Sequence, residues 1–380
     1  MAGLYLHIPF CQSRCIYCDF YSTTQADLRD RYVEALSQEI AARATGQFAT
    51  LYVGGGTPSQ LTAPQLDRLF TAIHRHAQLD ADAEVTLECN PDDVTPDLLH
   101  QLRALGVNRL SMGIQTFDDR LLRFLRRRHS AEQAIRAVGM AQAQGFDNLS
   151  IDLMFGFPVF SHSQPVHRDR DAAVSAFSAD LTTALSLGIQ HLSAYSLMYE
   201  PGTALTRLRD SGQLHEADDE TTLAMYEQLI DRTAEAGFEH YEISNFALPG
   251  HRSRHNSSYW DDTPYTGLGA GAHSYDGSTR YYHPDDLTAY LSNPLSLVSE
   301  TLSPTEHYNE YVMTRLRTRE GIHLPSLLRR FGPQLYRYCL AMAKPHLGAG
   351  RLSKDGQHYL RLTRQGLFVS DDIMSDLVKV

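Results

Sequence analysis

Three of the five cysteines in this 380-residue chain fall within eight residues, in the segment Cys11-Gln12-Ser13-Arg14-Cys15-Ile16-Tyr17-Cys18. Thiolates at C-x-x-x-C-x-x-C spacing can hold three corners of a cubane 4Fe-4S cluster, because thiolate is the ligand such clusters take. With no fourth cysteine nearby, one iron stays open, and the amine and carboxylate of S-adenosylmethionine (SAM) can fill that corner. An electron from the reduced cluster would then break a carbon–sulfur bond of the sulfonium and give a deoxyadenosyl radical. The alternative is structural zinc, with His7 or another residue as fourth ligand. Zinc sites usually draw on two separate knuckles and the chain has no second C-x-x-C, so the cluster is the favoured reading. Cys89 and Cys339 read as ordinary buried thiols, and five scattered cysteines exclude a disulfide framework.

The elements that must position this loop follow from hydrophobic periodicity. Residues 3–8 read as a strand and 27–44 as a helix, with Asp27 as its N-cap and Leu28, Tyr32, Leu36 and Ile40 on its apolar face. Strand and helix then alternate: 49–53 and 63–77, 84–88 and 95–105, 109–114 and helices between 118 and 144, 148–152 and a helix ending near 186, then 191–195. Alternation of this kind predicts an α/β fold with a parallel sheet and right-handed crossovers. The unusual residues all follow or end strands: Pro9 to Cys18, Gly54-Gly55-Gly56-Thr57-Pro58, Glu88, Gln115 and Asp152. The carboxyl rim of parallel strands is where such folds build sites. GGGTP lacks both the Gly-Lys-Ser/Thr of a P-loop and the G-x-G-x-x-G of a dinucleotide fold, which disfavours phosphate binding.

The rest of the chain is less explicit. A helix is expected over 216–236, a polar aromatic stretch over 241–282, and a surface insertion over 159–175. The tail reads as helices 305–331 and 333–345 followed by two short runs around Asp355-Gly356, a small winged-helix-like module. Net charge is −11, yet residues 301–380 hold 12 Lys and Arg against 7 Asp and Glu. The overall acidity argues against nucleic acid or an anionic membrane as the main partner. No run approaches the roughly 20 apolar residues of a membrane span, and Met1-Ala2-Gly3-Leu4-Tyr5 lacks the basic and apolar regions of a secretory signal. A soluble, cytoplasmic protein is expected.

HIPFCQSRCIYCDF, GGGTP and SMGIQTF resemble the radical SAM family, in the branch of oxygen-independent coproporphyrinogen III oxidases and their haem-chaperone relatives. The resemblance runs through roughly residues 3–300, and the tail is consistent with it. It implies a partial (β/α)6 radical SAM barrel over 1–240, a family-specific segment over 241–300 completing the site, and a C-terminal domain over 301–380. It further implies that Cys11, Cys15 and Cys18 hold a 4Fe-4S cluster. SAM would lie against Tyr5, Tyr17, Gly55, Gly56 and Thr57, with Glu88, Gln115, Arg127 and Asp152 around its ribose and methionine carboxylate. Read alone, Arg127 in the run Arg126-Arg127-Arg128-His129 would be a solvated helix end.

Two departures separate the chain from the oxidases. They carry a fourth cysteine where this chain has Phe20, and a long extension where only ten residues precede Cys11. The segment His255-Asn256-Ser257-Ser258-Tyr259-Trp260 matches an H-N-x-x-Y-W signature of the haem-chaperone members. An imidazole can ligate haem iron and two aromatics can stack on a macrocycle, so His255 is a candidate haem ligand; an ordinary packing motif is the alternative. His273 is a further candidate on the SAM side. The implied function is a haem chaperone binding the cluster, SAM and haem, delivering haem to acceptor haemoproteins such as respiratory enzymes, with an electron donor and a homodimeric state. The competing readings are an oxygen-independent coproporphyrinogen III oxidase, and a zinc-stabilised protein binding nucleic acid through the basic tail.

Overall fold

The computed structural model describes residues 2–157, 159–161, 164–166 and 170–380. Strand and helix alternate as β1 (Ala2–Ile8), α1 (Arg29–Arg43), β2 (Gln47–Gly55), α2 (Ala63–His76), β3 (Gln78–Cys89), α3 (Pro96–Ala104), β4 (Arg109–Gln115), α4 (Asp119–Phe124), α5 (Ala131–Ala143) and β5 (Leu149–Phe155). A two-stranded ribbon, β6 (Val159–Ser161) and β7 (Gln164–Val166), precedes α6 (Arg170–Ser186) and β8 (His191–Ser196). The ribbon falls within the expected insertion, of which 158, 162–163 and 167–169 lie outside the described residues. Strands β1-β2-β3-β4-β5-β8 lie side by side, all parallel, the six β/α units read from the sequence.

Local chemistry explains the boundaries. Helix α2 opens with Pro64 behind a Thr62–Gln65 capping box and buries Leu66, Leu69, Phe70 and Ile73 on one stripe. A Ser130–Gln133 box opens α5 in the same way. Asp27 does not cap α1: it lies inside a 3₁₀ turn, Ala26–Leu28, and the capping position passes to Leu28 without a side-chain bond.

The sheet has two unlike faces. Leu4, Leu6, Leu51, Val53, Val85, Leu87, Leu110, Met112, Leu149, Ile151 and Leu192 are buried in the main core that the helices share. The alternate residues (Tyr5, Tyr52, Glu88, Arg109, Ser111, Asp152, His191 and Ser193 among them) are aromatic, hydroxylic or charged. A parallel sheet covered on both faces is ordinarily apolar on both. Strict alternation in six parallel strands instead means that the inner face lines a polar chamber.

The chain after β8 extends this sheet at both edges. Helices α7 (Ala204–Asp210) and α8 (Asp219–Glu235) lead to β9 (Glu239–Glu242) and β10 (Asn245–Ala247), with β10 antiparallel to β8. Helix α9 (Arg254–Trp260) then crosses to β11 (Tyr265–Leu268), which pairs parallel with β1 and adds a seventh parallel strand the sequence did not announce. Strands β12 (His273–Tyr275) and β13 (Thr279–Tyr282), helix α10 (Leu287–Ser292) and strand β14 (Val298–Thr301) complete that edge. A buried acid fastens it: Glu39 of α1 accepts from Tyr290 (2.8 Å), His283 (2.8 Å) and the Gly269 amide (2.8 Å), and pairs with Arg43.

The tail has its own core around Tyr308, Val312, Leu316, Leu327, Cys339 and Ile373. It comprises α11 (Pro304–Leu316), β15 (Ile322–His323), α12 (Leu324–Gly348), β16 (Leu352–Lys354), β17 (Tyr359–Leu362), α13 (Arg364–Leu367) and α14 (Ser370–Leu377). The expected helix 305–331 is two helices separated by a strand, because Gly321 turns with φ +71° and Ile322 and His323 pair with β17. The expected break near 332 is a kink at Gly332 (φ +77°). Four arginines of this tail face the body: Arg315 pairs with Asp261, Arg330 with Asp262, and Arg364 with Asp231, while Arg317 lies 5.1 Å over the Trp260 ring. No helix among the described residues is long and apolar enough to cross a membrane.

Removing the carboxylate of Glu39 strands the buried His283 imidazole and the Tyr290 hydroxyl and takes one partner from the half-buried Arg43 guanidinium. Glu39→Ala is expected to cost about 3 kcal/mol, measured by urea unfolding followed by far-ultraviolet circular dichroism.

Candidate functional site

The cysteine loop leaves β1 at Ile8 and is closed at its base by two backbone bonds, Thr23 N–H to Pro9 O (2.7 Å) and Cys11 N–H to Thr23 O (2.9 Å). Ile16, between Cys15 and Cys18, is driven into an apolar pocket of Leu121, Leu125, Met154, Leu197 and Leu205. Its amide donates to Leu125 O (3.3 Å) and its carbonyl accepts from Leu205 N–H (2.9 Å). One buried side chain therefore fixes where the flanking thiols stand. All three thiols are half-buried.

The donors that reach these sulfurs come from the loops after β2 and α4. Thr57 Oγ1 lies 3.5 Å from Cys11 Sγ, and an Arg127 guanidinium nitrogen 3.6 Å from Cys15 Sγ. Burial pushes the Cys11 thiol up and the Cys18 thiol up to about 11. Deprotonation of these thiols therefore awaits a local positive charge, which a bound metal centre supplies. Zinc with His7 fits less well. His7 Nδ1 is bonded to Tyr5 OH (2.9 Å) and Nε2 to the Tyr21 carbonyl (3.1 Å). Among the described residues no three His, Cys, Asp or Glu side chains gather at a single-ion site. Three spaced thiols with an apolar anchor and two polar donors suit a cluster rather than one ion.

Glycine lets β2 approach this loop. A Cβ on Gly56 would sit 3.0 Å from Cys11 Sγ and 2.9 Å from the Pro9 carbonyl carbon. Gly55 has φ +112°, and a Cβ there would strike the His7 ring at 2.6 Å. The freed Gly55 amide donates to Glu88 Oε2 (3.1 Å), whose other oxygen accepts from Tyr52 OH (2.7 Å).

Further round the rim the remaining expected residues converge. Gln115 ends β4 in the left-handed region (φ +73°), just after a bulge in its pairing with β5. Strain of that kind persists only where the surroundings impose it. Gly113 leaves room for it: a Cβ there would lie 2.9 Å from the Gln115 amide nitrogen and 3.2 Å from Arg127. Arg127 is folded inward, bonded to Gly113 O and to Asn90 Oδ1 (2.7 Å), with its Nε buried and unpartnered. The solvated-helix-end reading of Arg127 is thereby excluded. Tyr17 stands among Cys15, Cys18 and Arg127, and Tyr5 reaches up from β1.

Asp152 of β5 accepts from Ser193 and Ser111 and is pushed up to about 6, chiefly by burial; Glu88 is pushed up to about 7 by burial, with the Asp152 charge adding to it. Asn90, Ser111, Ser193 and Arg109 were missed by sequence reading. Asn90 joins Arg127 to Thr57 (3.4 Å). The three others sit on the polar phase of β4 and β8, a signal visible once the alternation is tracked.

His255, the candidate haem ligand, is enclosed by the fold. It is 1% exposed, at the amino end of the strands, with Nδ1 bonded to Thr50 Oγ1 (2.8 Å) and Nε2 to Tyr259 OH (2.8 Å). Its ring stacks on Tyr52 at 5.1 Å, and its backbone N–H donates to Glu84 (3.0 Å). Burial drives its pKa down to about 3, so it is neutral, and both nitrogens are engaged. The packing alternative fits: α9 plugs the floor of the barrel, and Trp260 meets the tail. His273 is exposed on β12, stacked on Tyr282 at 5.0 Å.

Comparisons with known proteins agree with this architecture. The Radical SAM superfamily model matches residues 5–170, and the HemN C-terminal domain model residues 302–369. The chain is 35% identical over 385 residues to the "Heme chaperone HemW" of Bacillus subtilis (strain 168), covering 98% of each. It is 33% identical to the protein of that name from Escherichia coli (strain K12), covering 84% of this chain and 83% of the relative. Among solved structures, that of the coproporphyrinogen III oxidase (HemN) from Escherichia coli superposes with a TM-score of 0.84 at 24% identity, over 100% of this chain and 90% of that one; this likeness concerns the fold alone.

Gly56→Ala is expected to push the cysteine loop off β2. Iron and sulfide retained per chain after anaerobic reconstitution should fall at least several-fold while circular dichroism stays unchanged.

Proposed function

This chain belongs to the haem-chaperone (HemW) family of radical SAM proteins, and from that premise we propose that it binds a 4Fe-4S cluster, SAM and haem and hands haem to acceptor haemoproteins. The observation carrying the proposal is the convergence of three half-buried thiols, the glycine edge of β2 and the Glu88–Gln115–Arg127–Asp152 rim on one end of one barrel. When bound, the cluster supplies an electron and an iron with an open corner for the amine and carboxylate of SAM. Cys11, Cys15 and Cys18 would hold it, with Thr57 and Arg127 donating to two of the sulfurs. The bare backbone of Gly55 and Gly56 would admit the methionine end of SAM. Arg127, the cation of that rim, suits its carboxylate, while Glu88 and Asp152 suit a ribose diol or a sulfonium. Tyr5 and Tyr17 would wall the pocket and exclude water.

Haem as cargo rests on the relatives, which bear the name haem chaperone. Phe20, 68% exposed where the oxidases carry a further cysteine, favours the chaperone over coproporphyrinogen decarboxylation. We further propose respiratory haemoproteins as acceptors, an external electron donor, a homodimer, and a cytoplasmic location. Three of the tail's basic residues, Arg315, Arg330 and Arg364, are paired with acids of the body, which weighs against a nucleic-acid role for the tail.

Two measurements test the reading. Anaerobically reconstituted protein should contain about four irons and four sulfides and develop a Soret band on haem titration, without converting coproporphyrinogen III; an iron-free protein, or rapid decarboxylation, would refute it. Because the His255 nitrogens are both engaged within the fold, His255→Ala should lower the unfolding midpoint yet keep the Soret position. A lost or shifted band in folded variant would instead make it the ligand.

A further inference from the structure

Arg109 is an unusual tenant of the barrel floor. It opens β4 opposite Thr86 of β3 and is 1% exposed, the largest of the fully buried side chains. Its Nε is buried without a hydrogen-bond partner, and so is the Thr86 hydroxyl facing it across the strand pair. A guanidinium sealed from water is costly unless compensated, so a cation at this position needs a reason.

The register supplies one. Arg109, Ser111 and Gly113 share the inner face of β4; Ser111 stands opposite Glu88, and Gly113 opposite Asp152. Arg109 thus lies beneath two carboxylates that point into one chamber. We propose that Arg109 is a positioning residue of the SAM pocket, the buried cation that lets two neighbouring carboxylates serve one sulfonium ligand. The proposal rests on the SAM reading above and names a residue outside the set that resemblance implies.

The electrostatics run in the required direction. Burial raises both acids, to about 7 for Glu88, where the Asp152 charge adds to it, and to about 6 for Asp152, and the Arg109 charge opposes this at each. The groups facing Glu88 are the Tyr52 hydroxyl and Gly55 amide of β2, Tyr5 of β1, Cys89 beside it, Asp152 of β5, Tyr195 of β8 and Tyr259 of α9. Asp152 is faced by Ser111, Ser193, Tyr52, Tyr195, Cys89 and Arg127. His191 and His255, the nearby imidazoles, are held neutral by burial first and by the Arg109 charge second, so neither adds a cation to Arg109 and, on the Asp152 side, Arg127. Without Arg109, the acids would keep their protons to higher pH, and a protonated pair offers little to a cation.

The test is equilibrium dialysis of radiolabelled SAM against cluster-reconstituted protein between pH 6 and pH 9. Wild-type affinity should fall as pH drops through about 7. In Arg109→Met and Arg109→Gln the fall should move up by about one pH unit, a loss of about fivefold at pH 7 that is recovered by pH 9; Arg109→Lys should keep the wild-type midpoint. An unchanged midpoint in the neutral variants, or a loss independent of pH, overturns the role of Arg109 while leaving the SAM reading intact. If wild-type protein binds no SAM at any pH, both fall. Should Met and Gln variants not fold, a displaced midpoint in Arg109→Lys overturns the proposal, and a retained one upholds the requirement for charge.

Discussion

Everything at this site depends on how closely one strand's backbone can approach one loop. The cysteine loop is only as well placed as its contact with the end of β2, and that contact is sub-van-der-Waals for any side chain larger than hydrogen at Gly55 and Gly56. Gly54 beside them leaves room for Glu88, whose carboxyl carbon would lie 2.9 Å from a Cβ there, and that carboxylate takes the Gly55 amide, so the glycines order an acid on β3 while admitting the sulfurs of the loop after β1. On the far side Ile16 locks the loop into the apolar pocket formed by α4, β5 and the chain after β8. The loop is thus gripped between a backbone that cannot be moved outward and a side chain that cannot be moved inward. That grip gives three flexible thiols a defined spacing before any metal is present.

The second constraint is the polarity of the chamber. Six strands whose outer phase is aliphatic and inner phase is hydroxylic or charged cannot close on an apolar core, so the sheet stays open and its edges must be satisfied elsewhere. Strand β11 satisfies one edge by pairing with β1, and the β9–β10 hairpin satisfies the other through β8. Glu39 ties the first addition to α1, and α9 seals the floor from below with His255 and Tyr259. The polypeptide after β8 therefore extends the sheet at both edges. Part of the uneven charge of the sequence is matched across this contact, where Arg364, Arg315 and Arg330 of the tail are counter-ions to Asp231, Asp261 and Asp262 of the body.

Much of this was legible in the sequence. The six β/α units, the cysteine loop and the polar rim follow from periodicities of two and 3.6 and from glycine clusters, which are local signals. Arg127 was ambiguous because a run of basic residues looks the same whether solvated or folded inward; only the room left by Gly113 and the partner Asn90 decide it. Asp27 was misread because a 3₁₀ turn and an N-cap share the same composition. The helix over 305–331 was read as continuous since nothing within a few residues announces that Ile322 and His323 pair with a strand 36 residues on. Pairings between distant segments, such as β11 with β1, leave no local trace at all.

His255 shows the same limit in a functional residue. In sequence it is a histidine followed by two aromatics, a fair description of a haem site. In space its two nitrogens bridge Thr50 on β2 and Tyr259 on its own helix, and its ring lies on Tyr52, whose hydroxyl bonds Glu88. The floor plug and the upper rim are therefore joined by one chain of contacts, His255 to Tyr52 to Glu88 to the Gly55 amide. Loss of the imidazole would reach the SAM end through Tyr52 without any bond to iron. A motif can then belong to a haem-handling family, and be sensitive to substitution, because it holds the chamber in shape rather than because it touches the cargo.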